Sequence, residues 1–208
     1  MKIISHRGYW KTKEEKNTDK AFERSFGLDF GTETDIRDFL GELVISHDIA
    51  NSSSLSVNHF FDLFNSFNPN IPLALNIKAD GLHLKLKKLL NQYKINNYFT
   101  FDMSIPDTLG YIKENINFFS RQSEYELEPA FYVECIGIWL DCFEGIWYSK
   151  ELIISHLNNN KQVALVSPEL HNRNSLELWD FLKLNKIDQL EGVILCTDYP
   201  EEANSFFK

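Results

Sequence analysis

Cysteine is scarce, three residues in 208. Cys135, Cys142 and Cys196 stand in apolar surroundings without a CxxC spacing, so they read as buried thiols; that excludes a disulfide scaffold or thiolate metal site and fits a reducing compartment. Long hydrophobic runs are also missing: no stretch approaches the roughly 18 apolar residues of a membrane span. The opening "MKIISHRG" enters a strand-like run with no signal-type apolar segment, so the expected location is cytoplasmic. Basic residues are outnumbered, 21 Lys and Arg against 30 Asp and Glu, a formal charge of -9. This disfavours a nucleic-acid partner and an anionic membrane surface, and it means that an anionic substrate needs a locally positive site. Linkers, low-complexity segments and repeats are lacking, so residues 1–208 read as a single domain, with no signature of oligomeric state.

What is present is core material, 43% apolar and 14% aromatic, arranged in a regular alternation. Eight apolar runs, "KIISH", "TETDI", "PLALNIK", "YFTF", "INFFS", "IGIWLD", "QVALVS" and "GVILC", alternate with segments of helical period. The last helix is "YPEEANSFF", and a short one is expected near "EPAFYVE". Asn17, Ser56 and Ser149 are placed to cap helices, and Pro106 and Pro200 fit first-turn positions. Such alternation predicts parallel strands joined by helical crossovers, and eight units predict an α/β fold, a compact (β/α)8 TIM barrel; an open doubly wound sheet is the alternative.

A barrel places its chemistry at the C-terminal ends of its strands. There the sequence has His6 and Arg7, then Glu33 and Asp35, then Asn76 and Lys78, followed by Asp102, Arg121 with Ser123, Asp141, Glu169 with His171, and Thr197 with Asp198. Glu33 and Asp35 are two apart on a strand and so share a face. After the second strand, "DIRDFLGELVISHD" reads as a small hairpin turning at Gly41 and Glu42, which returns His47 towards Glu33 and Asp35. Two carboxylates, two histidines, Arg7 and Lys78 suit phosphoryl chemistry: oxygen ligands for a hard divalent ion, donors for phosphate oxygens, and groups that move protons.

In order along nearly the whole chain, "HRG" at 6–8, "NT" at 17–18, "ETD" at 33–35, "HD" at 47–48, "NIK" at 76–78 and "TDYP" at 197–200 resemble the glycerophosphodiester phosphodiesterase family. That family lies in the TIM-barrel superfamily that includes phosphatidylinositol-specific phospholipases C. The resemblance implies that His6 and His47 form the acid/base pair, that Arg7 and Lys78 contact phosphate, and that Glu33, Asp35 and the residue at 76 hold a divalent cation, Mg2+ or Ca2+. It implies a small phosphodiester as substrate. Two positions depart from the pattern. Asn76 stands where the family usually has Glu, which removes a negative charge, with Glu169 or Asp141 as the compensating candidates. Lys16 stands where the family has Glu before "NT". The family's large insertion after "HD" is replaced by "IANSSSLSVNHFF".

Outside the motif set, Arg121, Trp139 and His171 are candidate substrate or phosphate contacts. Asp198 and Tyr199 are expected to fix the last turn, and His59, His83, His156, Trp147 and Trp179 to be ordinary helix residues. The sequence leaves open which histidine is acid and which is base, and which alcohols flank the phosphate. It also leaves three functional readings: hydrolysis, lyase-type release of a cyclic phosphate, and a degenerate barrel that binds a phosphorylated ligand without turnover.

Overall fold

The computed structural model describes residues 1–68 and 70–208. The strands are β1 (Lys2–His6), β2 (Gly31–Phe39), β3 (Glu42–Ile45), β4 (Leu55–Ser56), β5 (Leu73–Ile77), β6 (Tyr98–Phe101), β7 (Phe119–Gln122), β8 (Gly137–Leu140), β9 (Gln162–Val166) and β10 (Val193–Thr197). The α-helices are α1 (Asp19–Gly27), α2 (Val57–Asn65), α3 (His83–Gln92), α4 (Ile105–Lys113), α5 (Lys150–Asn158), α6 (Leu176–Leu184) and α7 (Pro200–Phe207). Each of the eight apolar runs contributes to a strand, "INFFS" only through Phe119 and Ser120; β3 is the second strand of the expected hairpin, and β4 is additional.

The local chemistry explains most helix starts. Ser56 and Ser149 accept backbone N–H bonds from His59 and Leu152, and Ser104 does the same for Asp107. Pro106 lies in the first turn of α4, and Pro200 opens α7. Two expectations need correction. Asn17 does not cap α1: the cap position is Thr18, and Asn17 takes φ 59° with its side chain turned elsewhere. "EPAFYVE" forms turns rather than a helix, because Phe131 adopts φ 53°, which a helix cannot continue through.

Contacts group the chain into two units. In the unit Arg7–Phe118, β2 runs parallel to β5 with Asp35 opposite Asn76, and β5 runs parallel to β6 with Asn76 opposite Phe101. β2, β3 and β4 form an antiparallel meander on the other edge. The β2–β3 turn is centred on Leu40 and Gly41, one residue earlier than expected; both have positive φ, 49° and 85°, as a two-residue hairpin whose twist matches its strands requires. The core of this unit is aromatic. Phe22 meets Phe60 edge-on at 4.6 Å and Phe26 meets Phe64 at 5.3 Å, locking α1 onto α2. Each such pair adds about 0.5–1.5 kcal/mol beyond simple burial.

In the unit Met1–His6 with Phe119–Lys208, five parallel strands lie in the order β7-β8-β9-β10-β1. Ser5 lies opposite Thr197, so the residues that follow, His6 and Asp198, leave the sheet side by side. Ile138, Leu165, Leu178, Leu182 and Leu195 are fully buried. Trp179 packs against Phe206 at 5.6 Å and donates Nε1–H to Ser167 Oγ at 3.0 Å, pinning α6 to α7 and to the end of β9. Cys135, Cys142 and Cys196 are buried free thiols. Among the described residues, no helix is long and apolar enough to cross a membrane.

Candidate active site

In the unit Arg7–Phe118, β2 and β5 place Glu33, Asp35 and Asn76 on one face, because paired parallel positions point the same way and positions two apart repeat the face. Glu33 is 2% exposed, Asp35 0% and Asn76 8%. Two buried carboxylates need compensation, and cations supply it. Arg7 Nε lies 3.1 Å from Asp35 Oδ2, and Lys78 Nζ lies 3.3 Å from Asp35 Oδ1. Asn17 Nδ2 donates to Asp35 Oδ2 at 2.8 Å, while Thr34 donates its hydroxyl to Asn17 Oδ1 at 2.9 Å. The side chain read as a helix cap is thus a strut for the carboxylate.

The segment after β1 is shaped to deliver Arg7. Arg7 and Gly8 have φ of 60° and 80°. The Arg7 N–H donates to Glu33 O at 2.9 Å and to Glu33 Oε2 at 3.2 Å, and the Gly8 N–H donates to Thr32 Oγ1 at 2.9 Å. Asn17 N–H donates to Arg7 O at 2.9 Å, which joins the two ends of the intervening loop. Gly8 admits no side chain: a Cβ would meet Ala21 Cβ at 2.7 Å and the Ala21 carbonyl carbon at 2.9 Å.

Burial, then the neighbouring Asp35 charge, pushes Glu33 up to about 8, against the pull of Arg7 and Lys78. Asp35 Oδ1 and Asn76 Oδ1 are buried oxygens with no hydrogen-bond partner among the described residues. Two carboxylates and an amide carbonyl are all hard oxygen donors. A divalent cation among them would meet Asn76 Oδ1 and Asp35 Oδ1, the latter already 3.3 Å from Lys78 Nζ, and would favour the ionised form of Glu33, so the residues fit such an ion. Among the described residues no group of three or more His, Cys, Asp or Glu could hold a metal; a cation held by Glu33 and Asp35 would need the Asn76 amide as its third protein ligand.

The hairpin returns His47 to this region. Ser46 N–H donates to Asp35 O at 3.0 Å, so His47 follows directly on a residue fastened to the carboxylate's own backbone. The His47 side chain is 44% exposed, and its Nδ1 lies 2.8 Å from Asp48 Oδ1; that bond draws the Asp48 carboxyl below its ordinary range. A cleft of 570 Å³ opens here, lined among others by Arg7, Lys16, Asn17, His47 and Asn51.

In the other unit, His6 Nδ1 lies 2.7 Å from Asp198 Oδ1. Asp198 is itself held: its N–H donates to Glu169 Oε1 at 3.0 Å, and the Thr197 hydroxyl donates to the same oxygen. Burial raises the Glu169 carboxyl above its ordinary value. Sequence reasoning gave Asp198 a turn-fixing role and missed its contact with His6. The signal lay in topology, since closing a barrel sets the last strand beside the first. Glu169 and Asp141, the compensating-ligand candidates, are engaged within this unit, Asp141 Oδ1 with His171 Nε2 at 2.6 Å. Arg121 pairs with Glu126, and Trp139 is buried at 4% exposure on β8. Trp147 lies before α5 rather than on it and donates to Asp141 O at 2.8 Å.

No protein-family model and no curated protein sequence matches the chain. Solved structures do match. A protein of Galdieria sulphuraria, provisionally assigned as a glycerophosphodiester phosphodiesterase, superposes with a TM-score of 0.77 at 18% identity, over 99% of this chain and 97% of its own. The glycerophosphodiester phosphodiesterase of Agrobacterium tumefaciens gives 0.75 at 11% identity over 99% of both chains. That of Thermotoga maritima gives 0.67 at 14% identity, over 98% and 96%. Likeness at these identities establishes the fold. The chain has the (β/α)8 TIM-barrel fold of these proteins, as its alternation of elements predicts.

Proposed function

We propose that the protein is a divalent-metal-dependent phosphodiesterase acting on a glycerophosphodiester or a related small diester. One observation carries the reading: two buried carboxylates and a buried amide oxygen share a strand face, with Arg7 and Lys78 placed against Asp35, in a fold shared with glycerophosphodiester phosphodiesterases. Glu33, Asp35 and Asn76 would hold Mg2+ or Ca2+, which when bound supplies a Lewis acid for a phosphate oxygen. Arg7 and Lys78, the cations beside this face, would bind the phosphate oxygens. His6 and His47 move the protons, one from the attacking hydroxyl and one to the leaving alkoxide. Asp198 holds His6 through Nδ1. That contact fixes the orientation of the ring that is to move a proton. His47 is exposed and lines the cleft.

The test is a screen of diverse phosphodiesters with and without Mg2+ or Ca2+, followed by phosphorus NMR. Metal-dependent appearance of a phosphomonoester supports the reading. A persistent cyclic ester makes the enzyme a lyase. Tight binding without turnover makes it a non-catalytic phosphoryl-binding barrel.

A further inference from the structure

The cleft beside His47 has walls that the proton and metal roles leave unused. Over the whole chain Asp and Glu outnumber Lys and Arg, 30 to 21, yet the charged side chains lining this cleft are Arg7, Lys13 and Lys16 against Asp19 and Asp48. Locally the balance is reversed. Each of the two carboxylates also has an imidazole beside it, His59 Nε2 at 3.0 Å from Asp19 Oδ2 and His47 Nδ1 at 2.8 Å from Asp48 Oδ1. Lys16 is the position where the resembled motif has Glu, so that inversion of charge falls on the cleft wall.

The lysines are mounted on a fastened turn. Lys13 opens the short helical turn Lys13–Glu15, and Glu15 is bound to α1 through Lys20 Nζ at 2.5 Å and Arg24 Nη1 at 2.9 Å. Glu15 also accepts the Lys11 N–H at 2.8 Å, and Lys16 Nζ lies 4.4 Å from the centre of the Trp10 ring. Glu14, in the same turn, does not line the cleft. Neutral donors come from the segment after His47, where Asn51, Ser53 and Ser54 are also lining residues. Asn51 Oδ1 accepts the Ser53 N–H at 2.9 Å and the Ser53 hydroxyl at 2.6 Å, and Ser54 Oγ accepts the Asn51 N–H at 3.1 Å. Those bonds use neither the Asn51 side-chain NH2 nor the Ser54 hydroxyl proton.

We propose that Lys13 and Lys16, with Asn51 and Ser54, form a subsite for a second phosphate carried by one alcohol of the diester. A phosphate monoester has roughly 1.5 to 2 negative charges at neutral pH and three acceptor oxygens, which ammonium groups and neutral donors together match. The cleft, at 570 Å³, is within the range of about 300–1,000 Å³ usual for small-molecule sites. The inference rests on the phosphodiesterase reading, with the diester phosphate at Arg7 in the same cleft. Its test compares two glycerophosphodiesters, one whose second alcohol is glycerol phosphate and one whose second alcohol is ethanol, by the ratio of their kcat/KM values. Wild type should favour the phosphorylated ester. Lys13→Gln and Lys16→Gln should each lower the ratio about threefold to fivefold, the size of one exposed ion pair, and raising the salt from about 0.05 to 0.5 M should lower it too. Lys88→Gln, on the exposed face of α3 away from the cleft lining, should leave the ratio unchanged. A ratio unmoved by either cleft lysine, or lowered equally by Lys88→Gln, would overturn the subsite. Binding is read separately by calorimetry in one Mg2+ buffer, with glycerol 1,3-bisphosphate and glycerol 1-phosphate as probes. Tighter binding of the bisphosphate that weakens in Lys13→Gln and Lys16→Gln but not in Lys88→Gln supports the subsite even if no diester is turned over. Equal affinities, or no binding of either probe, overturn it. The absence of turnover with that binding difference intact refutes the enzyme reading alone.

Discussion

Glu33 offers a measurement that needs no substrate. Its carboxyl titrates near 8 in the folded chain against an ordinary value of 4.5, through burial and the facing charge of Asp35, partly offset by Arg7 and Lys78. Between those values the folded protein keeps a proton that the unfolded chain releases, so raising the pH favours unfolding. The contribution is fully present below about pH 4.5 and is lost as the pH rises to about 8. One proton of difference sets the slope at no more than about 1.4 kcal/mol per pH unit. Urea unfolding at intervals from pH 5 to 8, with chelator present, should show stability falling for wild type and a flatter profile for Glu33→Gln, which cannot ionise. Parallel profiles would refute the reasoning, placing Glu33 in a better solvated or better paired environment than its burial implies. Adding Ca2+ should reverse the trend. A cation stabilises the carboxylate, so binding expels a proton below pH 8 and apparent affinity rises with pH. Calorimetry in buffers of different ionisation enthalpy reads that proton directly.

His6→Ala and His47→Ala should each lower turnover about a hundredfold or more with the fold intact by circular dichroism; near-wild-type rates would remove that histidine from the mechanism. Asp198→Asn should lower kcat about tenfold or more with little change in KM, because it loses the carboxylate that holds His6 through Nδ1. An effect on KM alone would give Asp198 a different role. Asn76→Asp adds an anionic ligand and should tighten Mg2+ and Ca2+ binding by roughly tenfold in calorimetry, without activity having to rise. Unchanged dissociation constants would place residue 76 outside the metal's ligands. Gly8→Ala should destabilise the protein by at least roughly 1–3 kcal/mol in urea, from its left-handed backbone alone, and more from the clash with Ala21.

The eight parallel strands were legible because strands covered on both faces are written as short apolar runs, and "LALNI" or "VILCT" has no other economical reading. The shared face of Glu33 and Asp35 follows from the two-residue period alone. Other features depended on choices that local pattern does not encode. Asn17 and Thr18 are both good capping residues, and Asn17 was drawn away by the buried charge of Asp35, a partner 18 positions off. The hairpin centres on Leu40 although leucine pays for a positive φ, because register between β2 and β3 outweighs turn preference. The contact of Asp198 with His6 spans 192 positions and is set by which strands become neighbours. Composition has no means of recording that.

The hydrogen bond between Asn17 N–H and Arg7 O makes residues 8–16 a closed excursion whose two ends are held together. Doubling the length of such a loop costs only about 0.6 kcal/mol. The segment borders the cleft through Lys13 and Lys16, while the charged strand face is anchored outside it by Arg7 and Asn17. The charged strand face and the cleft's outer wall are therefore separable by mutation: lineages, or designers, can exchange the cleft-lining lysines of this stretch to retune what the cleft admits, while Arg7 and Asn17 keep their contacts with Asp35 and Glu15 its pairs with α1.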